Sequence, residues 1–181
     1  MKNENLLLIA NCLDEIPSIY AGRFARIMRG ETSIEYFGDI SQRVRSQLNI
    51  VLSKNDKIQI QKSATIRFVN KYLLHTFNSG HLDGRPHGKN GHHDYDPLSV
   101  KEICMLPTII KTVRNINILE NEIKRGLQRF TILKDFGNKT ILVITEVSSD
   151  GKYIDIVTAF HPNKTAVMKM REKNSRMATF S

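Results

Sequence analysis

Of the chain's six histidines, His75, His81, His87, His92 and His93 cluster near mid-chain and His161 stands apart. Imidazole exchanges protons near neutral pH, so paired histidines among cations suit RNA transesterification. One neutral ring removes the 2′-OH proton and a second acid protonates the departing 5′-oxygen. Lysine or arginine then stabilises the charge that builds on the phosphorane. His75 and His81 are the candidates for the acid–base work. His75 falls near the end of a predicted helix, where the helix dipole favours imidazolium. A plainer reading has His75 finishing the helix and His81 standing in solvent.

His87, His92, His93 and Asp94 are zinc-ligand types. Adjacent side chains in an extended loop point apart, however, and neither HExxH nor CxxC accompanies them. Residues 81–97 read instead as a basic, Gly-rich loop whose Arg85 and Lys89 hold substrate. No metal and no cofactor is expected. Residues 84–90 (GRPHGKN) lack the spacing and the Ser/Thr of a Walker loop.

These residues need elements to position them. Leu6, Leu7, Ala10, Leu13 and Ile16 recur at helical spacing, and Pro17 breaks that helix. A second helix is predicted over 21–28, ended by Gly30, with Arg23, Arg26 and Arg29 on one face. That face is either solvated or an arm on a phosphate backbone. Ser41 caps a third helix over 40–48. Residues 57–61 (KIQIQ) alternate like a strand, and Ser63 then caps a helix over 64–77. Two short helices follow, over 98–106 and 107–113, and a strand over 116–119.

Gly137-Asn138 and Asp150-Gly151 are hairpin signals. They join 129–135, 140–147 and 152–160 into an antiparallel meander. Alternation puts Arg129 and Thr131 on one face of it, Lys134 with Phe130 and Ile132 on the other, and Thr158 with Ile154 and Ile156. A hydroxyl on an apolar strand face costs free energy unless it is hydrogen-bonded, so Thr158 either serves β propensity or aims at a phosphate. His161, just past the strand, is a further phosphate contact, and Arg129 a substrate contact. The order of elements predicts an α+β fold, N-terminal helices packed against a C-terminal antiparallel β-sheet.

Lys and Arg outnumber Asp and Glu by 27 to 18, a formal charge of +9 that favours a polyanionic partner. Cys12 and Cys104 are too few and too far apart for a disulfide scaffold and read as reduced thiols of a cytoplasmic protein. Residues 6–10 are too short for a signal sequence, and no apolar run approaches membrane-spanning length.

The order of these motifs resembles the phage-associated branch of the barnase–EndoU–colicin–RelE (BECR) nuclease fold. Residues 58–63 (IQIQKS) match its opening strand and cap, and His75 and His81 its histidine pair. Residues 107–111 (PTIIK) match its middle helix, 130–134 its lysine strand, and 157–160 (VTAF) its terminal motif. The resemblance covers residues 38–162 and implies an N-terminal helical extension over 1–37 and a BECR-like domain over 38–181. It implies a metal-independent endoribonuclease of toxin or effector type, phage-borne, leaving a 2′,3′-cyclic phosphate. His75 and His81 would do the acid–base work, Lys134 would stabilise charge and Thr158 would contact phosphate. The implied partners are RNA, tRNA included, and a cognate inhibitor protein. Exposed aromatics such as Tyr95 would stack a base. Two other readings stay open: a non-catalytic phage-type inhibitor or adaptor that binds nucleic acid or an acidic host protein, and a zinc-dependent hydrolase built on the His-rich loop.

Overall fold

Helical periodicity is realised at once in the chain. α1 (Lys2–Asp14) buries Leu6, Ala10 and Leu13, and α2 (Ile19–Met28) buries Ala21, Phe24, Ala25, Ile27 and Met28. Ser18 caps α2, its hydroxyl accepting the Tyr20 N–H at 3.3 Å. These contacts belong to a computed structural model that describes residues 2–53, 58–73, 95–96, 98–112, 119–124 and 127–178.

β1 (Ile34–Asp39) follows, with Glu35 and Phe37 buried and Tyr36 exposed between them. α3 (Gln42–Ser53) begins where Ser41 accepts the Val44 N–H at 3.3 Å. The strand expected over 57–61 does not form across its described residues. Ile60 donates its N–H to Asn49 Oδ1 at 2.8 Å, and its carbonyl accepts from Asn49 Nδ2 at 3.2 Å. A side-chain amide thus supplies what a neighbouring strand would have supplied, and residues 58–61 dock without joining a sheet.

The strand lies a few residues on, inside the stretch expected to be helical. β2 (Thr65–Val69) buries Ile66 and Phe68 and leaves Thr65, Arg67 and Val69 half-buried. Its period of two and its β-branched and aromatic residues overrule the helical spacing of Ile66, Val69 and Leu73. A single 3₁₀ turn, Asn70–Tyr72, follows. After β3 (Tyr95–Asp96), one helix, α4 (Val100–Thr112), runs straight through Pro107 where two short ones were expected. Pro107 forfeits one backbone hydrogen bond there but is buried. β4 (Leu119–Lys124), β5 (Leu127–Phe136), β6 (Lys139–Val147), β7 (Tyr153–Pro162) and α5 (Lys164–Ala178) complete the chain.

The fold is α+β. The sheet runs in the order β1-β2-β7-β6-β5-β4, with β3 pairing the end of β7. It is mixed, not antiparallel throughout, because β2 lies parallel to β7. One face carries Ile66, Phe68, Phe130, Ile132, Ile141, Val143, Ile154 and Ile156, which join residues of α1 to α4 in one hydrophobic cluster. Phe24 of α2 meets Phe37 of β1 at 4.7 Å and Phe68 of β2 at 5.6 Å between ring centroids. A domain boundary after residue 37 would cut through β1. Among the described residues no helix is long and apolar enough to cross a membrane.

The β6–β7 turn depends on Gly151, whose φ is +70°. The Gln61 N–H donates to the Gly151 carbonyl at 3.0 Å, so the 58–61 segment lies directly against the turn. A Cβ on Gly151 would come within 2.0 Å of the Gln59 carbonyl oxygen. Gly137, in the β5–β6 turn, also has positive φ, but nothing lies within 4 Å of its missing Cβ. Gly137→Ala should therefore cost only the left-handed strain, about 1–2 kcal/mol. Gly151→Ala should cost clearly more, and thermal melts of the two variants side by side check the order.

Candidate functional site

The face of the sheet opposite the hydrophobic cluster carries a row of four charged residues and one tyrosine on five adjacent strands. In register they run Tyr36 (β1), Arg67 (β2), Asp155 (β7), Glu146 (β6) and Arg129 (β5). Asp155 and Glu146 are buried, and the two arginines half-buried. Arg67 holds Asp155 in a two-pronged ion pair, Nε to Oδ1 and Nη2 to Oδ2, the latter at 3.1 Å. Arg129 Nε donates to Glu146 Oε2 at 2.9 Å. The Tyr72 hydroxyl, brought over by the 3₁₀ turn after β2, donates to Glu146 Oε1. Both oxygens of Glu146 are thus engaged by different donors.

Burial, and then the bond to Glu146, raise the Tyr72 phenol above its ordinary 10.0, so it stays a donor at neutral pH. The hydrogen bond to Asp155 raises the Arg67 guanidinium in turn. Charges buried this way gain little stability over apolar residues of the same volume. Two carboxylates, two guanidiniums and a phenol thus share one sheet face, whose guanidinium and phenol donors can stabilise negative charge.

Thr158 faces the same way, contrary to simple alternation. The β6–β7 register shifts between Ile144 and Thr145: Thr145 pairs with Ile156, Ile144 with Thr158. Val157 is the extra residue of a bulge and turns Thr158 away from Ile154 and Ile156. Thr158 is buried, and its Oγ1 has no hydrogen-bond partner among the described residues. Lys134 pairs with Ile141, on the face of Phe130 and Ile132. Lys134 and Thr158 therefore lie on opposite faces and do not share a surface.

His161, expected to contact phosphate, is buried and fully engaged. Its Nδ1 lies 2.9 Å from the Thr140 carbonyl and its Nε2 3.0 Å from Glu102 Oε1. Both ring nitrogens thus face oxygen acceptors. Glu102 also closes the cap of α4, its Oε2 accepting the Ser99 N–H at 2.8 Å and hydroxyl at 2.7 Å. Burial pushes the Glu102 carboxyl up, but the bonds from Ser99 and then His161 outweigh it and hold it below its ordinary 4.5. Beside His161 opens a cleft of about 420 Å³ bordered by Lys139, Lys164 and Arg171.

The remaining expected site residues, His75, His81, Arg85 and Lys89, lie outside the described residues, as do His87, His92, His93 and Asp94 and the side chain of Tyr95. Sequence reasoning picked Arg129 and Thr158 from the charged face and missed Arg67, Tyr72, Glu146 and Asp155. For Arg67 and Asp155 the signal was present: TIRFV and YIDIV each set one charge between apolar neighbours. Comparison with protein-family models, with curated proteins and with solved structures yields no match.

Arg67→Met should cost about 3–5 kcal/mol by stranding buried Asp155, and Arg67→Met with Asp155→Leu should recover most of that in denaturant melts. Glu102 has a depressed folded pKa, so its contribution is complete above the ordinary 4.5 and is lost as pH falls through the lower folded value. In Glu102→Gln that part of the acid loss of stability should disappear from melting curves taken across the same pH range.

Proposed function

We propose that this chain is a metal-independent endoribonuclease of the BECR type, cutting RNA by attack of a 2′-hydroxyl on the adjacent phosphate. The observation that carries this reading is Glu146, buried and held by Arg129 and Tyr72 beside the Arg67–Asp155 pair. Glu146 accepts the proton of the 2′-hydroxyl as the 2′-oxygen bonds to phosphorus. The bond from phosphorus to the 5′-oxygen breaks, and that oxygen takes a proton from an imidazolium. The products are a 2′,3′-cyclic phosphate and a free 5′-hydroxyl.

The imidazolium is assigned to His75. His75 follows three residues after Tyr72 in the sequence, and the Tyr72 hydroxyl donates to Glu146. Arg129 and Arg67 oppose the charge on the phosphorane, the role the resemblance gives to Lys134. The Thr158 hydroxyl donates to a phosphate oxygen. His81, Arg85 and Lys89 hold the strand, and the +9 charge draws it in. A toxin or effector role, with a cognate inhibitor protein in the cytoplasm, belongs to the same reading.

A second reading has its own support. Each buried carboxylate already carries an arginine, so the row also suits a neutral structural clasp in a protein that binds RNA without cutting it. Incubation of the protein with total RNA in chelator separates the two. Cleavage with cyclic-phosphate ends is expected, and Glu146→Gln should reduce the rate by roughly 10²–10⁴-fold, the usual worth of a general base. His75→Ala should do the same. RNA bound by wild-type protein and left intact would leave the clasp as the answer.

A further inference from the structure

The charged row ends in an aromatic pair that no step above uses. Tyr36 stands on β1, the edge strand, opposite Arg67, and is 43% exposed. Tyr153 opens β7 two residues before Asp155, on the same face. The two rings lie 6.0 Å apart between centroids, and the Arg67 guanidinium sits 4.2 Å over the Tyr153 ring. Arg67 is itself fixed by Asp155, so the platform is anchored to the charged row.

Tyrosine on an edge strand often reflects β propensity alone. Three planar groups gathered at the end of a polar row are a more specific arrangement. They form a surface with π faces, one cation and an exposed ring, continuous with a site for a polyanion. We propose that Tyr36, Tyr153 and Arg67 form a stacking platform for an unpaired nucleobase. The inference rests on the ribonuclease reading and adds the substrate class: single-stranded RNA in preference to duplex, because paired bases offer no free face. Tyr36 is three strands from Glu146, about 14 Å at ordinary strand spacing. The stacked base therefore belongs to a flanking nucleotide and not to the one that is cut.

The test uses the full chain and a fluorescently labelled single-stranded oligodeoxynucleotide, which lacks the 2′-hydroxyl and cannot be cleaved by this route. Its fully paired duplex and an abasic version serve as comparators. The expected result is tighter binding of the single strand than of either comparator. Tyr36→Ala should weaken that binding by roughly ten-fold, with the salt dependence unchanged because no phosphate contact is lost. Tyr36→Phe should retain it, and melting curves of both variants should match the wild type. Equal affinity for duplex and single strand, unchanged binding by Tyr36→Ala, or no binding by the wild type would overturn the platform. Binding does not depend on turnover: wild-type protein that prefers the single strand through Tyr36 but cuts no RNA would sink catalysis and leave the platform. Protein that cuts RNA with unchanged kcat/KM in Tyr36→Ala would do the reverse.

Discussion

The Arg67–Asp155 ion pair ties the two halves of this chain together. It is made across β2 and β7, the parallel pair that joins the N-terminal strands to the meander. Its register decides which face each residue shows. A slip of one residue would carry Arg67 into the hydrophobic cluster and Ile66 and Phe68 out of it. The charge pair and the apolar face thus select the same alignment, and Glu146, Arg129 and Tyr72 follow from it. Without it the meander would still be a sheet, but its carboxylates would have no partner on the β2 side.

The meander was legible because its turns announce themselves. Gly137 and Gly151 supply the positive φ that tight connections need, and the runs between them are rich in Ile, Val and Thr. The N-terminal helices were legible for the same local reason, with Pro17 marking the break. Strand β2 was not, because Ile66, Val69 and Leu73 fit helical spacing while Ile66 and Phe68 fit a strand. Only a partner distant in sequence, β7, decides between them. KIQIQ misled in the opposite sense, its alternation being satisfied by one asparagine side chain.

The site was less legible than the fold. Thr158 was singled out but assigned to the wrong face, because one bulged residue inverts every side chain beyond it and leaves no mark in composition. Glu146 and Asp155 look like ordinary charges in strands until the register sets each beside an arginine. His161 shows the converse. Its type suggests chemistry, yet both its nitrogens are spent joining β6, β7 and the start of α4.

The parallel β2–β7 pairing also constrains how the molecule is made. Arg67 and Asp155 are 88 positions apart. A nascent chain emerging from the ribosome exposes β2 long before β7 exists. Until then Ile66 and Phe68 have no central strand beside them, and Arg67 has no Asp155 to hold. Contacts this distant along the chain slow folding and prolong the exposure of unpaired strands. Assembly of the row is thereby deferred until β7 has been made, so no fragment ending before β7 carries it.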